Sequence, residues 1–189
     1  MAVVAQDRGK LNPAGHACRL IGILAARYKD GVRFGGGRYA GDWAEAMEKR
    51  QPGAVSVIGK VDLYGELDLV ANLDVMISMD SSAMHMASLV GTPVVSIWGA
   101  THPYAGFYGF GQDPANAVQL DLSCRPCSVY GNKSCMYGDY RCLERISPET
   151  VAEAVGRTVK KRRRKDEEAT SQNPEKPKRT VKKPVESPM

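Results

Sequence analysis

Two short apolar runs, each ending in a polar loop, constrain this chain more than any other feature. Val75, Met76 and Ile77 lead into Met79-Asp80-Ser81-Ser82-Ala83-Met84-His85-Met86-Ala87-Ser88. Gly91-Thr92-Pro93 then leads into Val94-Val95-Ser96-Ile97-Trp98 and the loop Gly99-Ala100-Thr101. Both apolar runs have the length of buried strands, and the segment between them reads as a helix. Parallel strands need such a crossover. Both polar loops are therefore expected at the carboxyl ends of neighbouring parallel strands, where open α/β sheets bind ligands. A helix N-terminus there offers free N–H groups and partial positive charge, which suits a phosphate. The simplest ligand is a phosphorylated small molecule, such as a nucleotide sugar.

At 189 residues the chain is long enough for one domain with a real core. No apolar stretch has the length of a bilayer span. No charged-then-apolar leader opens the sequence, so a cytoplasmic location is expected. The net charge of +5 is concentrated at one end. Residues 157–189 carry 12 Lys+Arg against 5 Asp+Glu, which leaves the first 156 residues at −2.

Strand-like and helix-like segments alternate through the near-neutral part. Ala2 to Ala5 reads as a strand, and Ala14 to about Tyr28 as a helix with Leu20, Ile21, Leu24 and Ala25 on one face. Gly31 to Phe34 is a strand ending in Gly35-Gly36-Gly37, and Asp42 to Arg50 is helical. Ala54 to Ile58 is a strand, Leu67 to Leu73 a short helix, and Asn116 to Leu120 a last strand. Ser147-Pro148-Glu149 starts a helix, with Ser as cap and Pro at the first position. This alternation predicts a Rossmann-like α/β fold, a parallel sheet covered by helices on both faces. The expected division is a domain over 1–159, including a cysteine-rich loop at 121–143, and a basic tail over 160–189. Beyond about Lys165 large apolar residues almost vanish, which predicts a fraying helix and then disorder.

Each candidate residue has a bland reading beside the functional one. Asp80 can simply cap the helix that follows it. His85 can be a packed core histidine or a ligand group, and Met84 and Met86 read as packing residues. Lys10 alone is a surface lysine, and Gly35 to Gly37 alone are a tight turn. His16 and Cys18 read as incidental on their helix. Cys124-x2-Cys127-x7-Cys135-x6-Cys142 can hold a tetrahedral structural zinc that staples a long loop. The alternative is free thiols packing that loop. The run Lys160-Lys161-Arg162-Arg163-Arg164-Lys165 can attract anionic lipid through charge alone, or be a solvated basic face. No specific nucleic-acid motif accompanies it.

In order and spacing, these elements resemble glycosyltransferase family 9, the lipopolysaccharide heptosyltransferase family. The resemblance rests on Asp80-Ser81-Ser82-Ala83-Met84-His85, on Gly91 to Val95, and on Gly99-Ala100-Thr101-His102-Pro103. It covers roughly Val3 to Val155. The form with Trp98, His102 to Phe107 and a downstream cysteine cluster resembles members from Bacteroides-like bacteria. The family implies a GT-B fold of two Rossmann-like domains, with this chain as the C-terminal, donor-binding half. The N-terminal half, which holds the acceptor and the carboxylate base, is expected to lie outside this sequence. By the same resemblance Lys10 faces the donor phosphates. Asp80, Ser81, Ser82, Ala83 and His85 line the donor site, and Thr101 borders it. No cofactor is required. The family often carries a Glu beyond the Gly-Gly loop, where this chain has Arg38, Tyr39, Ala40 and Gly41.

The function so implied is transfer of a sugar from a donor such as ADP-heptose to a lipid-linked saccharide, at the cytoplasmic side of the inner membrane. Two other readings stay open: a catalytically inactive, truncated nucleotide-sugar-binding module, and a basic-tailed adaptor whose sheet is only a scaffold.

Overall fold

The computed structural model describes residues 13–28, 32–35 and 41–172. The expected strand at Ala2 to Ala5 lies outside the described residues, and so does Lys10. The elements run α1 (Ala14–Arg27), β1 (Val32–Phe34), α2 (Gly41–Arg50), β2 (Ala54–Ser56), α3 (Leu63–Ala71), β3 (Met76–Met79) and α4 (Ser82–Leu89). They continue with β4 (Val94–Ile97), two single 3-10 turns, β5 (Ala117–Val118), α5 (Arg141–Glu144) and α6 (Pro148–Gln172).

Every strand pairing described is parallel. β1 pairs with β2, and β3, β4 and β5 form a second sheet with β4 in the middle. The two faces of that second sheet bury different clusters, as alternation along a strand requires. Ile77, Met79, Val95 and Ile97 face a core made with Leu20, Ile21 and Leu24 of α1 and Val151, Ala154, Val155 and Val159 of α6. Phe34 and Ala54 of the first sheet join the same core. Met76, Val94 and Trp98 face the other way, onto Val70 of α3 and Met84 and Ala87 of α4. Helices therefore cover both faces, the arrangement that makes parallel strands read as continuous apolar runs.

Local chemistry sets the element ends. α3 begins about one turn before the expected Leu67, because the Asp62 carboxylate accepts from the Gly65 N–H at 2.8 Å and caps it. α6 begins where expected: the Ser147 hydroxyl accepts from the Thr150 N–H at 3.1 Å. It crosses residue 160 without a break and reaches Gln172, past the expected fraying point near Lys165. Two of its basic residues find partners from distant parts of the chain. Lys161 pairs with Asp113 at 2.7 Å, and Arg162 donates to the Asp74 carbonyl at 3.2 Å. Among the described residues, no helix is long and apolar enough to cross a membrane.

Trp98 is fully buried and sets the geometry beyond β4. Its indole N–H donates to the Ser96 hydroxyl at 2.9 Å, and its ring stacks on Tyr108 with centroids 5.9 Å apart. Its backbone N–H donates to the Val118 carbonyl at 3.0 Å, prolonging the β4–β5 ladder. Trp98→Ala removes this packing and is expected to cost about 3–5 kcal/mol of stability. Urea unfolding followed by circular dichroism measures that loss.

Candidate functional site

The register of β3 and β4 pairs Met79 with Ile97, so the chain leaves both strands at the same sheet edge. From β3 it emerges as Asp80 and Ser81 and turns into α4. From β4 it emerges as Trp98 to Thr101. The sheet thus presents two loops side by side, at the position where open α/β folds take ligands.

Ser81 is the N-cap residue of α4, in extended conformation, but its side chain makes no capping bond. Its hydroxyl lies 3.1 Å from the Ser78 hydroxyl, which itself donates to the Met79 carbonyl. The cap interaction offered by most serines is here turned back into the strand. Asp80 is only 5 % exposed.

Asp80, Ser81, Ser82 and His85 line one open cleft of about 180 Å³ together with Phe107 and Tyr130. Four of the residues singled out from the sequence are therefore gathered at one place. His85 is exposed on α4 and faces that cleft, which removes the reading of it as a packed core histidine. Ala83 packs instead against the cluster around Met84 and Trp98. Met84 is wholly buried in that cluster, as its packing reading requires. Thr101 is also wholly buried and does not line the cleft. Its hydroxyl has no hydrogen-bond partner among the described residues.

The two aromatic walls come from loops that the sequence marked by resemblance and by cysteine spacing, without giving either ring a role. Phe107 follows Gly106, whose φ of 91° lies in the left-handed region that favours glycine. Gly109 brings the same loop against α4, where a Cβ would sit 2.7 Å from the Ser88 hydroxyl. Gln112 then fastens the loop, accepting from the Val94 N–H at 2.8 Å and donating to the Thr92 carbonyl at 3.0 Å. Tyr130 arrives on the cysteine-rich loop, and its ring lies 5.7 Å from that of Phe107, tilted by 51°.

Arg125 holds the cysteine-rich loop in place. Its guanidinium donates to the carbonyls of Gly99, Thr101 (2.8 Å) and Leu120, and to the Gln119 side-chain carbonyl at 3.2 Å. The Cys127 N–H adds a bond to the Ala100 carbonyl at 2.8 Å. Burial pushes the Arg125 pKa down from its ordinary value, and the thiols of Cys142, Cys127 and Cys124 act against that shift. The rigid fork of an arginine suits several carbonyls at once, which a lysine would not match. The clue in the sequence was an arginine between Cys124 and Cys127, and spacing alone gave it no role.

Two readings were open for Cys124, Cys127, Cys135 and Cys142, a structural zinc or free thiols packing the loop, and the described geometry holds no ready-made metal site. Among the described residues, no three His, Cys, Asp or Glu side chains are placed to hold a metal. The thiols lie near enough to act on one another electrostatically, and they also make contacts of their own. Cys127 donates to the Cys124 carbonyl at 3.2 Å, and Cys142 is buried in the main core. Cys135 lies 4.0 Å from the Asp139 carboxylate. Burial raises the pKa of both Cys127 and Cys142. At Cys135 desolvation is outweighed by the N–H groups of Tyr137, Tyr140, Gly138 and Asp139, which lower it.

The family model described as glycosyltransferase family 9 (heptosyltransferase) matches residues 25–137, more than half of the chain. No curated protein matches it in sequence. Among solved structures, the chain is similar to the ADP-heptose lipopolysaccharide heptosyltransferase II of E. coli (TM-score 0.65, 18 % identity), covering 85 % of this chain and 45 % of that one. It is similar to a family 9 glycosyl transferase from Veillonella parvula (TM-score 0.64, 20 % identity), covering 84 % and 44 %. It is also similar to the E. coli heptosyltransferase WaaC, solved with ADP-2-deoxy-2-fluoro heptose (TM-score 0.58, 19 % identity), covering 82 % and 42 %. The chain thus spans less than half the length of each of these structures, and the likeness at these identities is one of fold.

The hub role of Arg125 has a direct consequence. Arg125→Met leaves the carbonyls of Gly99, Thr101 and Leu120 without their donor, at about 1–3 kcal/mol for each buried group left unsatisfied. The variant is expected to have a lower thermal midpoint and to be nicked within residues 121–142 by trypsin or chymotrypsin well before the wild type. Limited proteolysis with mass mapping reads this directly.

Proposed function

The chain belongs to glycosyltransferase family 9, and on that premise we propose that it forms the donor-binding half of a sugar-transferring enzyme. The donor is a nucleoside-diphosphate sugar, a heptose or related hexose. The acceptor is a lipid-linked saccharide of the lipopolysaccharide type. One observation carries this reading: the start of α4 and the loop after β4 are brought to one sheet edge by adjacent parallel strands. The ADP-sugar analogue in the WaaC structure supports an adenine nucleotide as the first donor to test.

In this reading the diphosphate rests at the N-terminus of α4. The N–H groups of the first turn and the helix dipole favour its negative charge. The Ser81 and Ser82 hydroxyls add donors of adjustable direction. Lys10, which lies outside the described residues, supplies a point charge from the loop after the first expected strand. As the bond from the anomeric carbon to the phosphate oxygen breaks, charge grows on the leaving diphosphate. Fixed donors at that position lower the barrier because they need no reorganisation. Asp80 is an acceptor for a sugar hydroxyl, and a second negative charge beside the diphosphate keeps it on the sugar side. A carboxylate from the other half of the enzyme takes the proton of the acceptor hydroxyl.

We place the reaction at the cytoplasmic face of the inner membrane. The basic, exposed positions of α6, among them Lys160, Arg163, Arg164 and Lys165, would attract an anionic lipid surface.

Calorimetric titration with ADP, GDP and UDP tests the donor site. One of the three is expected to bind saturably, and Lys10→Ala to weaken it about tenfold, the scale of one charge-assisted contact, whereas Asp80→Ala, which removes a sugar contact, is expected not to weaken the bare nucleotide. Absence of saturable binding for all three nucleotides overturns the reading.

A further inference from the structure

The cleft beside α4 has a polar floor and an aromatic wall, and the wall has no part in holding a phosphate. We infer that Phe107 and Tyr130 are the stacking surface for the sugar ring of the donor, and that the cysteine-rich loop exists to deliver Tyr130 there. The inference rests on the donor reading above and specifies which part of the donor occupies this cleft.

The chemistry of the lining fits a sugar better than a nucleobase. Asp80, Ser81, Ser82 and His85 offer a carboxylate, two hydroxyls and an imidazole, groups that both donate and accept, as an array of ring hydroxyls requires. The same cleft is lined by two aromatic side chains, an apolar face for the C–H side of a pyranose. Their rings are tilted by 51° rather than stacked on each other, so they make a corner in which one ring can sit. The cleft, about 180 Å³, falls below the roughly 300–1,000 Å³ of pockets that enclose a whole drug-sized ligand. It has room for one ring of a nucleotide sugar, with the rest of the molecule lying outside it.

Connectivity within the donor points the same way. In a nucleoside-diphosphate sugar the glycosyl ring is bonded directly to the terminal phosphate. The base is separated from that phosphate by the ribose and the other phosphate. With the diphosphate held by Ser81 and Ser82 at the start of α4, a ring that reaches Asp80 and the next turn at His85 is the sugar.

The wall is also built before any ligand arrives. The Phe107 loop is fixed by Gly106, by the close seat of Gly109 and by the Gln112 bonds to Val94 and Thr92. The Tyr130 loop is fixed to the segment after β4 by Arg125 and by the Cys127 N–H. Two separate loops, each with its own latch, thus meet at one ring pair. Tyr130 itself stays largely in solvent, at 61 % exposure, and so is accessible to a ligand.

The test compares ADP with ADP-heptose on the full chain by calorimetry, in wild type, Phe107→Ala, Tyr130→Ala and Tyr130→Phe. The expected result is a roughly five- to tenfold weaker Kd for ADP-heptose in each alanine variant, the scale of one aromatic contact. Binding of ADP is expected to stay within about twofold, because a stacking loss falls on the sugar alone. Tyr130→Phe keeps the ring and is expected to bind ADP-heptose as the wild type does. Equal losses for ADP and ADP-heptose would mean that the wall serves the base or the fold, and would overturn the inference. Unchanged binding of both would overturn it too, while leaving the donor site standing. A wild type that binds neither ligand overturns the donor reading and the aromatic wall with it.

Discussion

The parallel pairing of β3 with β4 is the constraint on which the rest of the site depends. Its register, Met76 with Val94 through Met79 with Ile97, decides that Asp80 and Trp98 leave the sheet together. That register is fixed by burial on both faces. Ile77, Met79, Val95 and Ile97 belong to one core and Met76 and Val94 to the other. A slip of one residue would exchange these sets and place the Ser78 and Ser96 hydroxyls in the wrong core. The polar loops are therefore positioned by apolar side chains that never meet a ligand.

A second layer of positioning is polar. Arg125 gathers carbonyls from the segment after β4 and from the segment after β5, and so ties a long irregular loop to a rigid edge. Gln112 does the same for the loop carrying Phe107, using the N–H of Val94 and the carbonyl of Thr92. Long loops without secondary structure are costly to order. Here one side chain in each loop satisfies more than one backbone group, so few residues need to be ordered to hold it.

The parts of this structure legible in the sequence are those governed by local rules. Apolar runs of strand length at Met76 and Val94, with helix formers between them, disclosed the sheet edge and with it Asp80, Ser81, Ser82 and His85. Ser147 and Pro148 disclosed the start of α6. The early start of α3 was hidden because Leu63-Tyr64-Gly65 carries little helical signal and the Asp62 cap acts through a single side-chain bond. Phe107, Arg125 and Tyr130 were hidden for a different reason. Their roles come from contacts between loops, such as Arg125 with Gly99 across 26 residues, and no periodicity reports these. The cysteine spacing suggested a metal because spacing fixes order along the chain and not direction. Cys142 is drawn into the core instead, beside Leu143 and Ile146.

The central claim is that anionic ligand binds where α4 begins, between two loops set by β3 and β4. Backbone amide chemical-shift mapping during titration with ADP tests this most directly, because it reports position rather than affinity. The account predicts that the largest shifts fall on the amides of Ser81, Ser82 and Ala83, with smaller ones on the loop from Gly99 to Thr101. Shifts confined to the basic stretch of α6, from Lys160 to Lys165, would contradict it and leave the sheet edge as scaffold only.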